Sequence, residues 1–253
     1  MIELAFILLA GLCVGSFITC ASYRLPLAID VVKKPSYCPA CEHRLGFRDL
    51  WPVLSWLASG GACRHCKSKI SVRYPAIELL NAALFLVIYA NYGFSLQALL
   101  LMLLATCLLI MIVADLEHYI IPDEIHLALL PLGLGYHALI GSDALAPAWG
   151  FLLGAGVGLS LHYGYGWLRK KDVLGYGDVK FLAVAGLWLT LLPFVPFIFY
   201  AGILGVVFGM AWRLVGRGAV FPFGPALAAS LFICVAFPKS VEFFWNFGHG
   251  IAP

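Results

Sequence analysis

Long apolar runs fill this chain everywhere except between residues 24 and 74 and constrain its fold more than any other feature. Hydrophobic residues make up 62% of the 253 positions and charged residues only 11%, whereas a soluble domain carries about a quarter charged residues. About 20 apolar residues cross a bilayer as a helix. The run at residues 1–22 has no basic n-region, which favours a retained span over a cleaved signal peptide. The pattern predicts an all-α polytopic membrane protein surrounded by lipid, with no nucleic-acid partner.

The basic residues predict the orientation of these spans. Nine of the 16 lysines and arginines lie between residues 24 and 73, and the positive-inside rule places that loop in the cytoplasm and the N-terminus outside. A second basic cluster at residues 169–171 returns to the same side. About eight spans follow, and they occupy residues 1–22, 75–90, 95–114, 125–140, 148–168, 181–212 as a pair, and 225–237.

The run at residues 181–212 is too long for one ordinary span and short for two. Pro193 and Pro196 each remove a backbone donor, so we expect them to break it. Arg213 and Arg217 favour two short spans, because two spans return these residues to the basic side.

Two aspartates stand at the ends of apolar runs. Asp115 closes one run, and Asp178 lies in the segment GYGDVK at residues 175–180, just before another. A carboxylate in hydrocarbon costs about 2.5–3.5 kcal/mol or more, so it usually lines a polar site. The predicted threading places both residues at cytoplasmic helix ends. A carboxylate pair that shares a proton and activates water is one interpretation; two unrelated residues at the headgroup level are the other.

The eight cysteines form two populations. Four lie inside apolar runs, where free cysteine behaves as a small hydrophobe: Cys13, Cys20, Cys107 and Cys234. The other four form two C-x2-C pairs with 21 residues between them: Cys38, Cys41, Cys63 and Cys66.

The paired C-x2-C spacing is similar to that of a zinc ribbon, in which four thiolates hold one tetrahedral zinc ion. Disulfides or a redox pair are the competing interpretation, which the reducing cytoplasm disfavours. Four cysteines leave no open position on the metal, so a zinc ion here would be structural. His43 and His65 flank the pairs, and we expect surface positions for them rather than ligand roles.

Several motifs together resemble the type IV prepilin peptidase family, whose members are bifunctional leader peptidase/N-methyltransferases and GxGD-type intramembrane aspartyl proteases. In chain order the motifs are GSF at 15–17, YRLP at 23–26, the two C-x2-C pairs, RYP at 73–75, ELL at 78–80, Asp115 with IPD at 121–123, GYGDVK at 175–180 and PFGP at 222–225. The resemblance covers nearly the whole chain. Asn81 departs from it, standing where a threonine or serine is expected.

The resemblance implies an enzyme of the bacterial inner membrane. Asp115 and Asp178 would be its catalytic dyad, and the four paired cysteines its metal ligands. It would cut the short basic leader from type IV prepilins or type II secretion pseudopilins at the cytoplasmic face. It would then methylate the new N-terminus with S-adenosylmethionine. The implied organisation is a first transmembrane helix at residues 1–23, a zinc-binding loop of the methyltransferase region at 24–74, and a peptidase domain at 75–253.

Alternative functions remain open from the residues alone: a peptidase without methylation, a zinc-stapled scaffold without catalysis, and an ion transporter. A transporter would carry its acidic residues near mid-span, whereas here they lie at predicted helix ends. The sequence has no Gly-x-Gly-x-x-Gly turn after a strand, so no Rossmann-type methyl-donor site is predicted. Glu42 and Glu78 are candidate polar groups for methyl transfer, and Glu78 is equally a candidate partner of Arg73.

Other polar residues near Asp115 also have two interpretations. His118 either tunes the dyad or is a solvated interfacial residue, and Asp123 suits a helix N-terminus better than catalysis. Glu117, Asp123 and Glu124 make this region acidic, either to receive a basic leader or as a solvated face.

Overall fold

Helices form all the regular structure in the computed structural model, which describes residues 1–169, 174–218 and 220–248. Within these residues the only β-pairing is two isolated bridges, Tyr37 with Arg44 and Ala62 with Lys69. The all-α prediction is therefore confirmed. The described helices are α1 (Ile2–Arg24), α2 (Leu54–Ala58), α3 (Arg73–Tyr92), α4 (Leu96–His118), α5 (Asp123–Ile140), α6 (Ala146–Arg169), α7 (Tyr176–Leu189), α8 (Leu191–Leu214), α9 (Gly224–Ala236) and α10 (Lys239–Gly248).

Four of these helices are long and apolar enough to cross a membrane: α1, α3, α4 and α8. A fifth crossing is formed if α9 and the start of α10, bent by 95° at a short break, act as one span. The chain is thus an integral membrane protein, as predicted. The count of eight spans stays a prediction. Lys170 and Lys171 of the second basic cluster lie outside the described residues.

The run at residues 181–212 is broken at Thr190, not at its prolines. Thr190 has a φ of 61° and separates α7 from α8. Pro193 lies in the first turn of α8, where a missing N–H leaves no helical bond unmade, and Pro196 continues inside the helix. The expectation that these prolines break the run was wrong for this reason. With 14 residues, α7 is about 21 Å long, shorter than the hydrocarbon core of about 30 Å.

The chain divides into two compact units, Met1–Ile110 and Met111–Pro253. In the first unit, α1 packs closely on α3 because Gly11 and Gly15 have no side chain. A Cβ on Gly11 would lie 2.7 Å from Ala82 Cα, and one on Gly15 would lie 2.6 Å from Glu78 Cα. The fully buried Asn81 donates its side-chain amide to the Gly11 carbonyl, with an N–O distance of 2.7 Å. Asn81, the residue that departs from the family resemblance, therefore joins the two helices.

The core of the second unit is α7. All residues from Phe181 to Leu189 are buried, and α6 approaches so closely that a Cβ on Gly154 would clash with the Leu182 carbonyl oxygen. The Trp188 indole donates to the Leu129 carbonyl of α5 across 3.0 Å. Asp178 belongs to the first turn of this buried helix. The packing of α7 therefore fixes the position from which Asp178 projects.

Candidate aspartate and cysteine sites

Asp115 lies one turn before the end of α4 and is only 6% exposed. Its Oδ2 accepts the backbone N–H of Gly224, with an N–O distance of 2.8 Å. Gly224 is the first residue of α9, so the positive end of that helix dipole points towards the carboxylate. A Cβ at position 224 would lie 2.6 Å from Oδ2, and only glycine fits there without a shift.

Asp178 is the third residue of α7, and its carboxylate lies beside Gly175, the N-cap residue of that helix. This carboxylate interacts electrostatically with that of Asp115, although 63 positions separate them in the sequence. Both residues belong to the unit Met111–Pro253. The structure thus brings the two predicted aspartates together, each at a helix end.

Two histidines tether the glycine-rich segment that precedes α7. The Nε2 of His126, on α5, lies 3.2 Å from the carbonyl oxygen of Gly177, and the Nδ1 of His162, on α6, lies 2.8 Å from that of Leu174. Because a carbonyl only accepts, each ring nitrogen is the donor. The His162 ring also packs on Tyr176, with 4.4 Å between ring centroids. These contacts attach the segment carrying Asp178 to two neighbouring helices.

Asp123 pairs with a residue of α7. Lys180 Nζ lies 2.7 Å from Asp123 Oδ1, and His126 Nδ1 lies 3.8 Å from the same oxygen. Pro122 is the N-cap of α5, so Asp123 is the first helical residue, where a negative charge suits the helix dipole. The Asp123 side chain is 65% exposed, and exposed pairs contribute about 0–1 kcal/mol. This pair supplements the histidine tethers.

The four paired cysteines lie on two turns with equivalent backbone hydrogen bonds. Glu42 N–H bonds to the Cys38 carbonyl at 2.8 Å, and Lys67 N–H bonds to the Cys63 carbonyl at 3.0 Å. Glu42 and Lys67 both have positive φ, 56° and 61°. Each turn therefore curls back at the residue that follows its second cysteine.

These turns bring four sulfur atoms within 4.8 Å of one another. The Cys38 and Cys66 sulfurs are 3.9 Å apart, close to the edge of about 3.8 Å expected for a tetrahedron with Zn–S bonds of about 2.3 Å. All eight cysteines of the chain are free thiols. Ser68 Oγ lies 3.1 Å from the Cys66 sulfur and is a hydrogen-bond partner of that thiol. The donor set therefore fits zinc.

His43 and His65 are exposed and pack on each other, with ring centroids 3.5 Å apart. Among the described residues, neither histidine belongs to the group of side chains that could hold a metal ion. Their positions agree with the surface role expected for them.

Two buried charged residues hold the loop of the first unit in place. The Arg24 guanidinium donates to the carbonyls of Asp30, Lys34 and Pro35 at 2.6–3.1 Å. Glu78 Oε2 accepts the Val53 N–H, with an N–O distance of 2.7 Å. Each of these residues fixes a different stretch of the loop.

Comparisons with known proteins place this helical membrane protein in a defined class. The protein-family model described as "Bacterial Peptidase A24 N-terminal domain" matches residues 9–92, and the family model described as "Type IV leader peptidase family" matches residues 102–210. No solved structure matches the chain.

Three relatives carry the name prepilin leader peptidase/N-methyltransferase. A Stutzerimonas stutzeri protein is 34% identical over 89% of this chain and 88% of its own length, and a Bacillus subtilis protein is 31% identical over 96% and 97%. A Myxococcus xanthus protein is 34% identical over 83% of this chain, which spans 63% of that relative. The chain belongs to the prepilin leader peptidase/N-methyltransferase family.

Sequence reasoning missed three contributors to the aspartate site: the Gly224 N–H, His126 and His162. The motif PFGP at residues 222–225 was a signal for the first, but nothing local connects it to Asp115. The histidines carried only a weak signal, a polar residue within an apolar helix.

Proposed function

We propose that this protein cleaves the leader from type IV prepilins or pseudopilins and then methylates the new N-terminus, using Asp115 and Asp178 for the cleavage. The observation that carries the proposal is that these two carboxylates, at the ends of α4 and α7, lie in one compact unit and interact electrostatically. Membership of the prepilin leader peptidase/N-methyltransferase family supports both activities. The enzyme lies in the bacterial inner membrane, with its N-terminus outside and with the cysteine loop and the aspartates facing the cytoplasm.

Two interacting carboxylates favour a state in which they share one proton. The ionised aspartate takes a proton from water as the water oxygen bonds to the scissile carbonyl carbon. The protonated aspartate donates its proton to the carbonyl oxygen, and a tetrahedral diol forms. The C–N bond then breaks, a proton passes to the leaving nitrogen, and the leader departs with a new carboxyl group. The Gly224 N–H holds the Asp115 carboxylate in place during these transfers.

The cleavage releases the α-amine that the second reaction consumes. Bound S-adenosylmethionine would supply a methyl group to the neutral form of this amine and would leave as neutral S-adenosylhomocysteine. The methylated ammonium then loses a proton to water. Methylation therefore needs a cationic donor close to the new N-terminus.

The four paired cysteines would hold a structural zinc ion that maintains the cytoplasmic loop. A loop of about 50 residues with few apolar side chains cannot bury a core alone, so a metal staple supplies stability. The sulfur spacing and the free thiols support this role. The residues 24–74 would thus form part of the methyltransferase region, and 75–253 the peptidase.

Substitution of the aspartates tests the peptidase. Asp115→Asn and Asp178→Asn each keep the side-chain shape and remove one carboxylate, so cleavage of a purified prepilin should fall more than about 100-fold. The matched control is Asp143→Asn, because exposed Asp143 loses the same charge in the loop between α5 and α6. Cleavage above a few per cent in either dyad variant, with the control unchanged, would remove that residue from the catalytic role. A scaffold without catalysis would show no cleavage even in the unaltered protein.

A further inference from the structure

A cavity of about 400 Å³ lies between α1 and the loop that follows it. All the residues that line this cavity belong to the unit Met1–Ile110. Its α1 wall runs from Cys13 to Arg24, a length of about 16 Å at 1.5 Å per residue. This is about half of a hydrocarbon core that is about 30 Å thick. The cavity therefore follows a membrane-capable helix over about the depth of one leaflet.

The lining of the cavity changes from apolar to cationic along α1. Cys13 and Phe17 line one part of it and are exposed on a helix apolar enough to cross a membrane, so this part faces hydrocarbon. Arg24 and Lys34 line the other end, and no acidic residue lines the cavity. An apolar stretch that leads to two cations matches an amphiphile with an anionic head.

Arg24 is a buried cation that has hydrogen-bond partners but no counter-charge. Its side chain is 6% exposed, and its guanidinium donates to the carbonyls of Asp30, Lys34 and Pro35. These three bonds leave two of the five guanidinium N–H donors for a ligand. Within the described residues, no carboxylate lies at ion-pair distance from Arg24. Because a buried charge is costly unless it is paired, this end of the cavity favours a bound anion.

The acidic residue that follows Arg24 most closely in the loop is directed elsewhere. Asp30 Oδ1 accepts the N–H groups of Val32 and Lys33, with N–O distances of 2.8 and 2.7 Å. Its carboxylate thus closes the turn at residues 30–33 and does not line the cavity. Lys34 follows this turn directly. The charged groups that line this end of the cavity are therefore both cations.

We propose that this cavity binds an anionic phospholipid of the membrane, with its phosphate at Arg24 and Lys34 and the start of an acyl chain along Phe17 and Cys13. The two remaining N–H donors of Arg24 suit phosphate oxygens, which arginine binds through charge-assisted hydrogen bonds. A zwitterionic headgroup would bring an ammonium group to a site that has two cations and no carboxylate. The phosphate supplies the counter-charge that the buried guanidinium lacks and so stabilises the loop over α1.

The size of the cavity suits a lipid that is only partly enclosed. A volume of about 400 Å³ is smaller than a whole phospholipid, so the cavity holds the headgroup and the upper part of one chain. On the loop side, Leu50 and Pro52 add apolar surface to the lining. The rest of the lipid extends into the bilayer, which the exposed side of α1 faces. Neither the aspartates nor methyl transfer is needed for this binding.

Photocrosslinking tests the site in the full-length protein. Zinc-loaded protein in phosphatidylcholine nanodiscs receives a trace of phosphatidylglycerol that carries a diazirine on its acyl chain. After irradiation, peptide mass spectrometry should find the crosslinks on residues 13–20 in preference to α3, α4 and α8. Phosphatidylcholine with the same diazirine should show no such preference. Equal labelling of residues 13–20 by both lipids would indicate a contact that any lipid can make and would overturn the proposal.

Two neighbouring lysines provide a matched pair of variants. Both are exposed, but Lys34 lines the cavity and Lys33 does not. Lys34→Gln should weaken the crosslinking of phosphatidylglycerol about fivefold, the effect of one basic residue on attraction to anionic lipid. Lys33→Gln should change it by less than about twofold, since salt screens the more distant charge. An equal loss in both variants would indicate unspecific attraction to the basic loop and would refute the site. Arg24 is left unaltered, because its carbonyl bonds also hold the loop.

Competition with soluble anions distinguishes a lipid from a free phosphate as the occupant. Unlabelled phosphatidylglycerol should abolish the crosslinks on residues 13–20, whereas inorganic phosphate and glycerol 3-phosphate should leave them in place. Sodium chloride keeps the ionic strength equal in all samples, because salt alone weakens the attraction between exposed charges. Competition by inorganic phosphate as strong as that by the lipid would assign the cavity to a soluble anion and would overturn the lipid occupant.

Discussion

A single methyl group at position 224 should disable the peptidase while leaving the methyltransferase intact. In Gly224→Ala the new Cβ would start 2.6 Å from the Asp115 Oδ2, whereas ordinary contacts begin near 3.4 Å. The carboxylate and the start of α9 must therefore separate by about 0.8 Å, the difference between those two distances. The Asp115 side chain is buried, so it has little room in which to retreat.

This displacement would break the hydrogen bond that orients the carboxylate. The N–O distance would lengthen from 2.8 Å to about 3.6 Å, beyond the limit of about 3.2 Å for an N–H···O bond. A hydrogen bond to a charged group contributes about 1.5–3 kcal/mol, and each 1.4 kcal/mol is a factor of ten in rate. We therefore expect kcat/KM for prepilin cleavage to fall about 10- to 150-fold.

The assay compares leader cleavage of an intact prepilin with methylation of a pre-cut pilin in one preparation of Gly224→Ala. The matched control is Gly156→Ala, since a Cβ at Gly156 of α6 meets no atom within 4 Å. Cleavage should fall in the first variant only, and methylation should hold in both. Cleavage by Gly224→Ala at more than half the unaltered rate would refute the positioning of Asp115 by this N–H. Parallel loss of both activities would indicate misfolding instead.

Two further substitutions address the cysteine loop and the histidine tethers. Purified protein should contain one zinc ion per chain, and the Cys63→Ser variant should lose it. This variant should lose more methylation than cleavage, because the cysteines lie in the unit Met1–Ile110 and the aspartates in the unit Met111–Pro253. Both rates are measured with intact and pre-cut substrates. Cleavage lost before methylation would contradict that assignment. His162→Phe removes the donor to Leu174 and should lower kcat about tenfold with little change in KM, and His162→Asn, which keeps a donor, should recover part of it. A change confined to KM would show that this tether serves binding instead.

The elements of the site that follow from short-range sequence pattern were predictable. Apolar runs and charge placed Asp115 and Asp178 at helix ends, where the structure has them. The C-x2-C spacing predicted that the four cysteines form one group, because the tight turn within each pair is a local property of four or five residues. In both cases the information lay within one segment of the chain.

Contacts between distant segments were not predictable in the same way. The Gly224 N–H reaches Asp115 across 109 positions, and no local pattern encodes that distance. The break at Thr190 was not predicted, because the prediction relied on prolines. A proline removes a backbone hydrogen bond from a helix, but Pro193 occupies the first turn of α8, where that bond is absent anyway. Packing of the neighbouring helices, and not local propensity, set both features.

Glu78 illustrates the same limit within one helix. Arg73 was a plausible partner on sequence distance, but residues five apart on a helix do not face each other as those three or four apart do. The structure instead gives Glu78 a bond to Val53 in the loop, while Arg73 donates to Ser22 of α1 at 2.9 Å. The close approach of α1 and α3 at Gly15 creates this arrangement, and that approach follows only from the packed helices.

Chemistry alone requires cleavage to come before methylation in the two proposed reactions. The amine that attacks the methyl carbon does not exist until the scissile C–N bond is broken, so a defect at Asp115 or Asp178 abolishes methylation of an intact prepilin without touching the methyltransferase region. A defect confined to the methyltransferase region has no such consequence for cleavage. Loss of methylation from intact substrate therefore identifies neither site, whereas a pre-cut pilin bypasses the aspartates. Only with that substrate does the rate of methylation report on the methyltransferase region alone.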